Sequence, residues 1–139
     1  MSNLVYSYFC LDILHIGHIM HIKKSKEIAG MGGELIMGIL TDEAIISKKK
    51  RPILSFSERF EIARSLKYAD KVVPQETYSP LSNIKLYKPN ILMESTSHSK
   101  KSIEELVEYM GTICGKVVIN PYYKGQSSTK IKNIIKDRY

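Results

Sequence analysis

The chain has no tryptophan and only two cysteines in 139 residues. Cys10 and Cys114 are too few for a disulfide framework and show no metal-ligand spacing, which fits a reducing compartment. No apolar run approaches the ~20 residues that span a bilayer. The first residues lack the basic-then-apolar pattern of a secretory signal. A soluble, cytoplasmic protein with no stable membrane insertion is expected. Repeats, low-complexity tracts and linkers are also missing, so one domain over residues 1–139 is expected, large enough to bury its own core. Acid is in short supply: 14 acidic against 21 basic residues leave a net charge of +7, so an anionic partner is expected.

Much of the excess lies in Lys48-Lys49-Lys50-Arg51 and in Lys100-Lys101. The second run reads as solvated surface; for the first, a solvated cluster and a polyanion-binding loop both stand. The aromatics are mostly tyrosine and are not interleaved with the basic runs as on a single-strand stacking platform. No nucleic-acid partner is therefore expected, and a nucleoside triphosphate fits the charge better.

Leu4 to Phe9 reads as a buried strand. Gly17 to Ala29 has helical spacing, with Ile19, Ile22 and Ile28 inward and Lys23, Lys24, Lys26 and Glu27 outward. Further strands are predicted at Glu34–Leu40, Asp70–Pro74, Asn90–Met93 and Lys116–Ile119. Helices are predicted from Thr41-Asp42 toward Ser47, and over Phe56–Tyr68, Ser79–Tyr87, Ser102–Met110 and Ser127–Asp137. Ser55-Phe56-Ser57-Glu58 reads as a capping box. Alternating strands and helices give the fold class: α/β, Rossmann-like, a five-stranded parallel sheet with helices on both faces. Ligands in such sheets bind at the carboxyl ends of the strands.

The segment Cys10-Leu11-Asp12-Ile13-Leu14-His15-Ile16-Gly17-His18 stands at the first such end. Glycine lets backbone approach a phosphate closely, and a helix start offers unpaired N–H groups to an anion. Two imidazoles add donors for a transferring phosphoryl group. A lone histidine here would read as a cap or a packed ring; two around Gly17 read as a phosphate contact. His21 continues the spacing, so a metal site is a rival, but no cysteine and only Asp12 stands nearby, and zinc wants four ligands. No metal-ligating residue is assigned. Asp12 reads as orienting an imidazole or stabilising the turn. At the other end of the chain, Ser127-Ser128-Thr129 open the last helix, as caps and as hydroxyls for phosphates.

This segment resembles the signature of the cytidylyltransferase-like nucleotidyltransferases. Thr41-Asp42-Glu43, the basic loop to Arg51, Arg59 and Gly125-Gln126-Ser127-Ser128-Thr129 recur in family order. Val72-Val73-Pro74-Gln75-Glu76-Thr77 and Pro121-Tyr122-Tyr123-Lys124-Gly125 look most like the phosphonate-type domains that accompany phosphoenolpyruvate mutase. Glycerol-3-phosphate cytidylyltransferases share the framework but typically have arginine where Tyr122 stands.

The resemblance implies transfer of CMP from CTP to a small phosphonate or phosphate, with release of pyrophosphate, in a homodimer. His15, His18 and Lys50 would be catalytic. Phe9, Cys10, Lys48, Ser95, Thr96, Gly125, Ser127, Ser128 and Thr129 would hold the nucleotide, and Lys49 could substitute in the loop. Arg59, Tyr122 and Tyr123 would meet the acceptor. Mg²⁺ would bridge triphosphate oxygens, which needs few protein ligands. After the fourth strand relatives place a Gly-Asp-Asp-Trp-like segment; here it is Glu94-Ser95-Thr96-Ser97-His98, where Ser95 and Thr96 could bond a base and His98 stack on one. Cys10 also reads as a buried apolar thiol. Rivals are glycerol 3-phosphate or phosphoethanolamine as acceptor, adenylyl transfer, and a non-catalytic nucleotide-binding module.

Overall fold

The computed structural model describes residues 2–96, 98–121 and 123–139. The strands are β1 (Leu4–Phe9), β2 (Glu34–Leu40), β3 (Lys71–Gln75), β4 (Ile91–Ser95) and β5 (Lys116–Asn120). The helices are α1 (Ile16–Ala29), α2 (Asp42–Ile46), α3 (Phe56–Arg64), α4 (Leu81–Tyr87), α5 (Lys100–Thr112) and α6 (Ser128–Arg138). All strand pairs are parallel, in the order β3–β2–β1–β4–β5. The winding reverses between β1 and β4. At such a reversal the flanking connections leave to opposite faces and open a crevice at the strand ends.

Strand alternation divides the core. Val5, Leu35, Met37, Ile39, Ile91 and Met93 face one side and pack against Ile22 and Ala29 of α1 and Ala63 of α3. Tyr6, Ile36, Val73 and Leu92 face the other and meet Ile84 of α4 and Leu106 and Met110 of α5. Both faces are therefore covered, which is what continuous apolar strands require. Gly38 is needed in β2 because a Cβ there would lie 2.0 Å from the Tyr6 hydroxyl, which donates to Gln75 Oε1 at 2.6 Å.

Two local expectations change. The Ser55 hydroxyl accepts the Glu58 N–H at 3.3 Å, but among the described residues the two-way capping box is found at His15 and His18 instead. Helix α3 ends at Arg64 rather than Tyr68: the Ser65 hydroxyl bonds back to the Glu61 carbonyl at 3.0 Å, and such back-bonding competes with helix continuation.

Arg59 departs furthest from expectation. It is completely buried, and its donors are taken up by the protein itself. Its Nη1 donates to the carbonyls of Cys10 at 2.6 Å and Leu40 at 2.7 Å. Nε donates to the Leu54 carbonyl at 3.1 Å and Nη2 to Asp42 Oδ1 at 2.8 Å. One planar fork thus ties the ends of β1 and β2 to α2 and to the end of the basic loop. A buried guanidinium is tolerated only when its donors are matched in this way. Arg59→Met should lower the unfolding free energy by about 3–5 kcal/mol in urea titration. An unchanged midpoint with a raised acceptor KM would return Arg59 to the acceptor site.

Candidate active site

The crevice is a cleft of about 930 Å³ at the carboxyl ends of the strands. That is at the upper end of small-molecule sites and has room for a nucleotide and a second small ligand.

Its floor is the β1–α1 turn. His15 is extended backbone at the helix cap, and its Nδ1 accepts the Gly17 N–H at 3.0 Å. The His15 N–H in turn donates to His18 Nδ1 at 3.2 Å. A ring nitrogen that accepts a backbone N–H carries no proton, so each neutral imidazole holds its proton on Nε2. Both rings line the cleft, and Nε2–H is the donor each has left for it. Burial lowers the pKa of His15 and brings His18 down to about 4, helped by its neighbours His15 and His21. The two rings stand 4.0 Å apart, so charging both would be costly. Gly17 is required here: a Cβ would come within 2.7 Å of His15 Cε1 and 3.2 Å of Tyr123 Cδ2. His21 completes the row. Its Nδ1 lies 3.2 Å from Asn120 Nδ2, its ring meets Phe9 edge-on, and burial holds it at about 4.

The start of α6 forms the facing wall. The Ser127 hydroxyl accepts the Lys130 N–H at 3.0 Å, and the Ser128 hydroxyl donates to the Ile13 carbonyl at 2.9 Å. The cap therefore also pins this helix start to the histidine turn, and Ser127, Ser128 and Thr129 line the cleft. Asp12 does not orient an imidazole. Its oxygens accept Ile53 N–H at 3.1 Å and Leu54 N–H at 2.9 Å, and Lys132 Nζ lies 2.5 Å away. Despite partial burial, those donors hold its carboxyl below the usual range. Asp12 thus anchors the basic loop and places Lys132 on the cleft wall.

Glu94, on β4 beside β1, also lines the cleft. The Tyr8 hydroxyl donates to its carboxylate, 2.8 Å from both oxygens, and His98 Nε2 lies 3.4 Å from Oε1. Burial pushes the Glu94 carboxyl up to about 7.

Of the residues expected from sequence, Phe9, Cys10, His15, His18, Lys50, Ser95, Tyr123, Ser127, Ser128 and Thr129 line this cleft. Lys49 lines it where Lys48 does not. Thr96 lines a shallow groove along α5 instead. Gly125 is exposed behind Tyr123, whose hydroxyl would lie 2.4 Å from an added Cβ. Tyr122 lies outside the described residues. Cys10 is half-buried, with its thiol pKa raised by burial. Lys132, Lys124, Asn120, Tyr8 and Tyr78 also line the cleft; each is an ordinary lysine, asparagine or tyrosine in sequence, brought in by topology alone. Among the described residues no cluster of three or more His, Cys, Asp or Glu side chains forms a metal cage, and no helix is long and apolar enough to cross a membrane.

A doubly wound sheet with paired histidines at its first strand end and lysines around the cleft is a nucleotide-handling α/β domain. More narrowly, residues 10–134 match the Cytidylyltransferase-like family, and the chain belongs to it. Its curated relatives include the bifunctional protein HldE of Pelobacter propionicus, 31% identical over 99% of this chain, and that of Nitratiruptor sp., 33% identical over 94%. The chain spans only 28% and 27% of those proteins. They are HldE proteins rather than phosphonate-type or glycerol-3-phosphate cytidylyltransferases, so they carry the family but not the expected branch. A lipopolysaccharide core biosynthesis protein from Thermoplasma volcanium superposes with a TM-score of 0.73 at 24% identity, covering 90% of this chain and 100% of its own. A protein of unknown function from Archaeoglobus fulgidus gives 0.65 at 16% identity, over 88% and 99%. These two carry the fold alone.

The pKa shifts have opposite signs for stability. His18 and His21 fall from 6.5 to about 4, so their contribution is complete above 6.5 and is lost as pH falls toward 4. Glu94 rises from 4.5 to about 7, so its contribution is complete below 4.5 and is lost as pH rises through 7. On going from pH 7 to pH 5, His18→Asn should lose less stability than wild type and Glu94→Gln more. Urea midpoints at the two pH values check both signs; parallel shifts in all three proteins would refute them.

Proposed function

We propose that the chain transfers a nucleotidyl group from a nucleoside triphosphate, with CTP as donor, to a small phosphate or phosphonate acceptor. The observation that carries this reading is the pair of neutral imidazoles, each with Nδ1 occupied by backbone and Nε2–H left for the cleft. Donors fixed before the reaction stabilise developing charge without reorganising, which is where their catalytic value lies.

In this reading the triphosphate lies between the histidine turn and the start of α6. An acceptor oxygen, already ionised at neutral pH, attacks the α-phosphorus. The bond from that phosphorus to the bridging oxygen breaks, and pyrophosphate leaves with the electron pair. No protein nucleophile or base is required. His15 and His18 donate to the triphosphate where charge builds up. Lys49, Lys50 and Lys132 neutralise the departing pyrophosphate. Mg²⁺ would supply further neutralisation of the triphosphate; Asp12, the carboxylate beside the histidine turn, already has both oxygens engaged. The unpaired N–H groups at the α6 start favour the same anion. Homodimerisation belongs to the same proposal, and the exposed Ile134 and Ile135 of α6 are apolar surface that pairing would cover.

Pyrophosphate release with CTP or ATP, against a panel of phosphates and phosphonates, tests the reaction. Release is expected with CTP and a small phosphonate or phosphate. Turnover with ATP alone would correct the base; CTP binding without release by any pair would make the domain a non-catalytic module. His18→Ala should lose at least ~100-fold in kcat, while remaining folded by circular dichroism with about 1 kcal/mol lost from the helix cap. Full activity in that variant would refute the role given to the turn.

A further inference from the structure

Of the three histidines on the β1–α1 turn and α1, His21 alone has no role in phosphate binding. It lies one turn, about 5.4 Å of rise, beyond His18 on α1. Its side chain lines the cleft together with that of Asn120, the last residue of β5. In the sheet order β5 stands on the β4 side of β1. The basic loop is tied to β1 and β2, on the other side. Lys49 and Lys50 therefore flank the histidine turn on one side, and Asn120 with His21 flanks it on the other.

The pair is uncharged and has a defined polarity. Asn120 Nδ2 lies 3.2 Å from His21 Nδ1. An amide nitrogen only donates, so Nδ1 accepts and the neutral ring carries its proton on Nε2. Among the described residues no fully buried side-chain nitrogen or oxygen lacks a partner. His21 Nε2 and Asn120 Oδ1 have no partner in the protein, so both are open to the cleft. Together they present one donor and one acceptor. Phe9 meets the His21 ring edge-on, with centroids 5.3 Å apart, and limits its rotation. The Tyr123 ring lies against the same helix start, where its Cδ2 would be 3.2 Å from a Cβ on Gly17.

An uncharged donor–acceptor pair beside an aromatic ring suits a flat heterocycle rather than a phosphate. We propose that His21 and Asn120 read the base of the nucleotide, selecting one whose exocyclic amine adjoins a ring-nitrogen acceptor, the edge that cytosine and adenine share. Asn120 Oδ1 accepts from the amine, His21 Nε2–H donates to the ring nitrogen, and Tyr123 offers a face for stacking. The ribose bridges the step from His18 to His21. The keto counterparts, uracil and hypoxanthine, reverse both groups and set acceptor against acceptor and donor against donor. This rests on the nucleotidyl-transfer reading and adds to it the residues that choose the donor's base.

Two isosteric pairs test it with the full chain: CTP against UTP, and ATP against ITP. Calorimetry measures binding, and pyrophosphate release with a panel of phosphates and phosphonates measures turnover. The amino base should bind at least ~30-fold more tightly than its keto counterpart, the scale of two mismatched hydrogen bonds. Comparison of the two pairs tells cytosine from adenine. His21→Phe, which keeps a ring against Phe9, and Asn120→Leu should each reduce the preference to a few-fold. Circular dichroism checks that both variants fold, and the wild-type comparison needs neither. Equal affinities within both pairs would mean that amide and imidazole reverse together, and would overturn the selection. So would a preference that survives undiminished in both variants, since other groups would then read the base. An amino-base preference that both variants abolish, without pyrophosphate release by any combination, would uphold the base site and refute nucleotidyl transfer. No binding of any of the four nucleotides would refute both.

Discussion

The two-way cap between His15 and His18 is the interaction on which the site depends. Each ring gives its Nδ1 to a backbone N–H of the same turn. That places the rings, selects their tautomer and sets the direction of their remaining donors. A serine or aspartate would satisfy the same helix start more simply. A histidine used as a cap leaves a second nitrogen free, so one residue both starts the helix and presents a donor to a ligand. Gly17 follows from the same geometry, because any side chain there would push His15 from its place.

The rest of the structure keeps that turn at the mouth of a stable crevice. Arg59 binds the carbonyl ends of β1 and β2 to α2 and the loop. Asp12 binds the end of the same loop to Lys132 on α6, and Ser128 ties α6 to Ile13. These contacts join segments far apart in the chain at the crest of the sheet. The loop end and the turn are therefore held to one frame.

The sheet was legible in the sequence because each buried strand is a short apolar run bounded by turn residues, and the helices carry clear spacing. The histidine turn was legible because its glycine and its imidazoles are adjacent in the chain. Arg59 was not: nothing local distinguishes an arginine one turn into a helix from a solvated one, and its burial follows from two strand ends over it. The contacts of Glu94 were not legible either, because Tyr8, His98 and Tyr78 lie on separate segments that only the β1–β4 adjacency and the loop after β3 bring together. Lys132 was one lysine among many until Asp12 selected it.

The geometry of the turn requires His15 and His18 to be neutral, with the proton of each on Nε2. Nitrogen-15 imidazole shifts measured at pH 7 test it directly. The structure predicts Nε2–H for both rings in the free protein, with Nε2–H broadened or shifted on addition of CTP. A ring protonated on Nδ1, or an imidazolium at either position, would contradict the account.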